Sequence, residues 1–231
     1  APAQVGAASA ATSHIQESRL KPLLHEEIAP LSLVQQRLWL LDRLQPGNTA
    51  YHLAWAFELR GALDRRALQS ALAALADRHS SLRTHFRERD GQPEQVIAAS
   101  TGWPLQFVAA EQADVAGIAA DAAATPFDLA TGPLVRALLI GSAPEVHTLL
   151  VVGHHIVADG WSLGVLTREL ALLYEAGRRG DAVKLPTLTR DYASYAREQR
   201  RALGGGDLAR QLEYWKTQLH DAPPFLDLPT D

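Results

Sequence analysis

The chemistry in this sequence is concentrated in the run His154-His155-Ile156-Val157-Ala158-Asp159-Gly160-Trp161-Ser162. An imidazole titrates near neutral pH, so either histidine could take a proton from an attacking nucleophile. Asp159 follows His155 closely enough to turn back and hold the loop by pairing with an arginine, and Gly160 suits a turn beside it. The apolar run Leu149-Leu150-Val151-Val152 ahead of the pair reads as a strand, and neighbouring side chains on a strand point to opposite faces. One histidine is therefore presented and the other packed. A lone histidine at a strand end would read as a satisfied polar residue; two histidines with an acid and a glycine at this spacing specify more.

Two other site chemistries share these residues. Gly160-Trp161-Ser162-Leu163-Gly164 matches the G-x-S-x-G nucleophile elbow, but the elbow needs its serine on a sharp turn directly after a strand, with an acid and then a histidine later in the chain. Here a loop intervenes and His220 is the one later histidine. Ser162 reads better as the N-cap of a helix beginning near Leu163. Adjacent histidines on a strand diverge and no H-E-x-x-H pair occurs, so a metal site is not expected.

The elements that must position this run are legible from periodicity. Leu163, Leu166, Leu170 and Leu173-Tyr174 mark a helix of several turns after Trp161, with residues 177–186 as a loop. Upstream, Ser32 with Gln35 has capping-box spacing and opens a short, largely buried helix that ends before Gln45. Leu53, Trp55, Phe57 and Leu59 alternate as a half-buried strand, and Asp64 N-caps a helix over Arg65–Asp77. Asp90-Gly91 is the turn of a hairpin from Phe86 to Ile97. A short strand around Leu105 and Phe107, a helix from Val115 to Ala124, and a strand pair Val135–Ile140 and Val146–Val152 follow. Helices Leu188–Leu203 and Leu208–Leu219 flank Gly204-Gly205-Gly206, which is a flexible joint and lacks the strand-first spacing of a phosphate loop.

At 231 residues with 47% apolar and 21% charged residues, the chain has ample material for a core. A formal charge of −4 and no basic block argue against nucleic acid or an anionic membrane as the main partner. Zero cysteines exclude disulfides and a thiol nucleophile, and fit a cytoplasmic setting. No apolar run approaches a membrane span and no signal segment opens the chain. Residues 1–27 read as an interdomain linker that docks late through Ile15, Leu20 and Leu23. With no methionine anywhere, the chain reads as an excerpt of something longer.

Three motifs in order carry a resemblance. His154-His155-Ile156-Val157-Ala158-Asp159-Gly160 is similar to the signature of non-ribosomal peptide synthetase condensation domains, in the superfamily resembling chloramphenicol acetyltransferase. Ser32-Leu33-Val34-Gln35-Gln36-Arg37-Leu38-Trp39 resembles the first motif of these domains, in the form that takes a donor ending in an L-residue. Arg78-His79-Ser80-Ser81-Leu82-Arg83-Thr84-His85-Phe86 resembles the second, although Ser80 stands where an acid often follows the histidine. The passage from Tyr214-Trp215 to Leu228-Pro229-Thr230-Asp231 is similar to the one leading into a second lobe.

The resemblance implies an α/β fold, an open mixed sheet with packed helices, with residues 28–231 as the N-terminal lobe and the second lobe absent. It implies amide-bond formation between donor and acceptor thioesters. No cofactor is bound directly, and the substrates arrive on the 4'-phosphopantetheine of upstream and downstream carrier protein domains, beside an adenylation domain. His155 becomes the catalytic residue, with His154 packed, Gly160 at the turn, and Asp159 paired to Arg83, or to Arg78 as second choice. A catalytically silent carrier-binding lobe, an epimerisation domain and a free-standing acyltransferase are the alternatives. The excerpt alone is expected to be inactive and to expose apolar surface on its last two helices.

Overall fold

The computed structural model describes residues 26–99, 102–223 and 225. The docking residues expected in the first 25 positions lie outside these, as does most of the closing passage from Pro224 onward. In chain order the elements are β1 (Glu27–Pro30), α1 (Leu33–Leu44), β2 (His52–Arg60), α2 (Arg65–Arg78), β3 (Thr84–Arg89), β4 (Gln92–Ile97), β5 (Leu105–Ala109) and α3 (Val115–Ala124). Then come β6 (Val135–Ala143), β7 (Val146–His154), α4 (Gly160–Arg179), α5 (Tyr192–Ala202) and α6 (Leu208–Gln218).

The strands divide into two sheets where the sequence suggests one. A four-stranded mixed sheet has the order β2-β7-β6-β5, with β5 parallel to β6 and the other pairs antiparallel. Its central strands carry unbroken buried runs, Ala137 to Ile140 and Leu149 to Val152. A strand buried at every position is covered on both faces. Leu68, Leu72 and Leu75 of α2 belong to the same core, and α3 lies against β2 and β7. The fold is therefore α/β, with helices packed on a mixed sheet.

The second sheet is antiparallel, in the order β1-β4-β3. Its hairpin turns at Asp90 and Gly91, whose φ values of 52° and 75° are the paired left-handed conformations of a two-residue turn that matches strand twist. β1 pairs with β4 from Glu27↔Ile97 to Pro30↔Glu94. This strand is not visible in the sequence: with four residues and one buried side chain, Ala29, it shows no period.

Local signals hold where the chain controls its own ends. Ser32 and Gln35 form the reciprocal capping box of α1, and Asp64 caps α2 through the Arg66 and Ala67 N–H groups. α1 itself is less buried than its composition suggests. Only Gln35 and Leu38 are inside, whereas Leu33, Val34, Leu40 and Leu44 are exposed. α4 runs to Arg179, into the expected loop, and stops where Gly180 takes a left-handed conformation, the usual helix C-terminal device. The glycine joint over Leu203–Asp207 breaks the helical path at Gly206 (φ 89°), so α5 and α6 are separate helices joined across a kink.

Candidate active site

β7 ends at His154, and the backbone that follows is tied down on three sides. The His154 N–H donates to the Leu134 carbonyl at 2.9 Å, and the His155 N–H to the Tyr51 carbonyl at 2.8 Å. The Val157 N–H returns to the His154 carbonyl at 3.0 Å, closing the turn. The two histidines then part. His154 is 2% exposed, whereas His155 faces solvent, and among the described residues no group bonds its imidazole.

His154 has a definite job in this turn. Its Nδ1 accepts the Ile156 N–H at 3.1 Å, so the ring must be neutral with its proton on Nε2. Burial, with the neighbouring His52 and His155, pushes its pKa down to about 4. Tyr51, His52 and Phe127 surround the ring at centroid distances of 6.0–6.4 Å. A buried neutral imidazole shapes the loop, and its exposed neighbour is left free for chemistry.

Asp159 departs from expectation. It is the N-cap of α4, and Ser162, expected to cap, sits at the third helical position in a capping box. Asp159 Oδ1 accepts the Ser162 N–H at 2.8 Å and the Ser162 hydroxyl at 2.6 Å. These bonds, with a smaller contribution from the nearby His155, hold its carboxyl below the usual range against the opposing effect of burial. A serine hydroxyl committed to a cap is also unlike a nucleophile on an elbow.

No pair forms between Asp159 and Arg83. Arg83 bonds the Ala76 carbonyl at 3.0 Å through Nε and the Ala98 carbonyl through Nη1, tying the end of α2 to the end of β4. Burial lowers its pKa, opposed by Asp77, Glu27 and Asp191. The second choice, Arg78, also goes elsewhere. Its Nε donates to Glu169 Oε2 at 3.0 Å, and the same oxygen accepts His79 Nε2–H at 2.7 Å. Arg78 Nη2 additionally bonds the Pro186 carbonyl. The arginine clamp thus exists, but it grips the third turn of α4 and not the loop.

Glu169 is the buried acid that sequence reasoning did not single out. It is 8% exposed and lies three residues after Leu166 and four before Leu173, inside the apolar row of α4. A glutamate in that row was the available signal. Tyr51, whose carbonyl seats His155, offered none, because a backbone acceptor carries no sequence mark.

Gly160 is the first residue of α4, its φ lies outside the left-handed region, and a Cβ there would meet nothing within 4 Å. The turn does not need a glycine; the missing side chain leaves open space in front of the helix. A half-open cleft of about 180 Å³ lies beside it, between the Ser80–Arg83 turn and the start of α4. His155 does not line this cleft, which begins at Val157. Among the described residues no cluster of three or more metal-ligating side chains occurs, and no helix is long and apolar enough to cross a membrane.

Comparison with known proteins bears on the family and the fold. The family described as condensation domain matches residues 25–231. The chain is 39% identical over 217 residues to malpinin synthetase of Mortierella alpina, covering 92% of this chain and 3% of that protein. It is 39% identical over 209 residues to phosphinothricin tripeptide synthetase PhsC of Streptomyces viridochromogenes, covering 87% of this chain and 19% of that protein. The chain therefore spans a small part of the length of these relatives. Among solved structures, the X-domain in complex with OxyB from teicoplanin biosynthesis superposes with a TM-score of 0.79 at 32% identity, over 88% of this chain and 46% of that one. The first condensation domain of the calcium-dependent antibiotic synthetase, in complex with a substrate analogue, has a TM-score of 0.74 at 24% identity and shares the fold, with 48% of that chain covered.

Proposed function

The chain belongs to the condensation-domain family, and on that premise we propose that residues 28–231 are the N-terminal lobe of a domain that joins two carrier-bound thioesters through an amide bond. The observation that carries this reading is His155, solvent-facing, unbonded at its ring and fixed at its backbone. Donor and acceptor are presented on the 4'-phosphopantetheine arms of upstream and downstream carrier domains. The acceptor's free α-amine adds to the donor thioester carbonyl, forming a tetrahedral zwitterion. His155 accepts or orients the amine proton, the tetrahedral intermediate collapses with cleavage of the carbon–sulfur bond, and that proton passes to the departing sulfur, which leaves as a thiol. No acyl-enzyme is needed. Positioning contributes at least as much as basicity, since an amine that arrived protonated would be no nucleophile.

His154 and Asp159 act through the loop: one shapes the turn, the other starts α4. Arg83 and the Arg78–His79–Glu169 knot hold the surrounding elements. The Gln35-to-Trp39 segment of α1 supports an L-configured donor. Coverage of 46–48% of solved relatives supports a missing second lobe, toward which α6 would turn its apolar side.

A second reading, a protein-binding lobe without turnover, is favoured by one observation: the X-domain relative was solved bound to another protein. The deciding experiment loads donor and acceptor on carrier proteins and compares this chain with the same chain extended through its natural second lobe. Dipeptide from the extended chain alone is expected. Carrier binding without dipeptide from either would contradict the enzymatic reading and leave the second.

A further inference from the structure

We infer that the cleft between the Ser80–Arg83 turn and the first turns of α4 is a subsite for one apolar amino-acid side chain of a thioester substrate. The inference rests on the functional reading above and adds a substrate class to it. Position is the first argument: the lining starts at Val157, two residues beyond His155, and continues along α4 to Leu166.

Chemistry of the walls is the second. Leu82, Val157, Ala158, Trp161, Val165 and Leu166 present carbon. Three polar side chains also line it, and two are already committed. His79 Nε2–H bonds Glu169 at 2.7 Å, and the Ser162 hydroxyl bonds Asp159 at 2.6 Å. Only the Ser81 hydroxyl has no partner within the described protein. A charged or amide side chain entering this half-open cleft would give up part of its water and meet one uncommitted hydrogen-bonding side chain, whereas an aliphatic or aromatic one gives up none.

Size and rigidity complete the case. About 180 Å³ is well below the volume of sites that enclose drug-sized ligands, and admits a side chain but no peptide. The walls are held by the Asp159 cap on one side and the Glu169 knot on the other, so the cleft is shaped before anything binds. Trp161, 84% exposed at its mouth, adds apolar surface there.

The test uses the intact two-lobed condensation domain. Alanyl, leucyl and phenylalanyl donors are compared at a fixed acceptor, and then the corresponding acceptors at a fixed donor. Val165→Phe fills the cleft and Val165→Ala enlarges it. In one arm, Val165→Phe should lower the leucyl-over-alanyl preference by about tenfold, the scale of a methylene mismatch in an apolar pocket, and Val165→Ala should shift preference toward phenylalanyl. The responding arm identifies the substrate. If Val165→Phe fails to fold by circular dichroism, Val165→Ala decides alone. Unchanged preferences in both arms, with wild-type making dipeptide, would overturn the subsite and leave the functional reading standing. No dipeptide from wild-type would overturn both.

Discussion

α4 and α6 are both amphipathic helices, yet they stand in opposite situations. The apolar row of α4, with Leu166, Leu170, Leu173 and Tyr174, packs on the core, and Glu169 in that row finds Arg78 and His79. Its first turn is capped by Asp159. α6 carries Leu208, Leu212, Trp215 and Leu219 along one face, and all four are 50–58% exposed. No residue of α6 is buried, and Asp207 makes no side-chain cap bond. Hydrophobic period specifies a stripe; whether the stripe finds a partner is decided elsewhere. α4 finds its partner within this chain. Among the described residues, the face of α6, like the exposed Leu33, Val34, Leu40 and Leu44 of α1, does not.

The contrast can be broken most sharply at Glu169. Replacing it with Ala leaves the Arg78 guanidinium uncompensated between α2 and α4, with side-chain exposures of 13% and 10% for the pair. A loss of about 3–5 kcal/mol is expected in chemical denaturation. A loss under ~0.5 kcal/mol would mean that α4 is held by its apolar row alone.

The next largest effect is pH-dependent and lies at the other end of the same unit. His154 has a folded pKa of about 4 against an ordinary value of 6.5. Between these values the unfolded chain binds the proton and the native state does not. Stability is therefore full above pH 6.5 and falls as pH drops toward 4, by about 1.4 kcal/mol per unit at most. His154→Asn keeps an acceptor for the Ile156 N–H and removes the titration, so the slope should flatten. An unchanged slope would show that His154 is not the group responsible.

Asp159→Ala removes the cap of α4 and should cost about 1 kcal/mol, between 0.5 and 2. The lowered pKa of Asp159 gives this contribution the opposite window from a raised one: it is present above the unfolded carboxylate value and is lost as pH falls below about 4. On α6, by contrast, Leu212→Ala and Trp215→Ala should change the stability of this chain by less than about 0.5 kcal/mol, because both side chains are more than half exposed among the described residues. The same substitutions should reduce self-association in light scattering. A compact wild-type monomer would show that the exposed face is tolerated without a partner.

The difference between these helices also explains what the sequence revealed. Strand–histidine–turn–helix, the Ser32–Gln35 capping box, the Asp64 cap and the Asp90-Gly91 turn are local, and each is set by residues within a few positions of one another. Partner choice is not local. Arg78 and Arg83 flank one short turn, and no sequence rule ranks which meets an acid. In the structure Arg78 takes Glu169, ninety-one residues away, while Arg83 spends its donors on carbonyls that leave no trace in side-chain pattern. The motif pointed to Arg83 with Asp159; the structure joins Arg78 to Glu169 instead. β1 was hidden for another reason: a four-residue edge strand is defined by the hairpin it joins and has no period of its own.

On the proposed reading, the end of β7 presents His155 for amide-bond formation while His154 and α4 hold it there. The most direct measurement is single-turnover dipeptide formation by the complete condensation domain with loaded carriers, comparing wild type with His155→Ala at matched thermal stability. Product is expected from wild type and essentially none from the folded variant. Product at the wild-type rate from folded His155→Ala would contradict that reading.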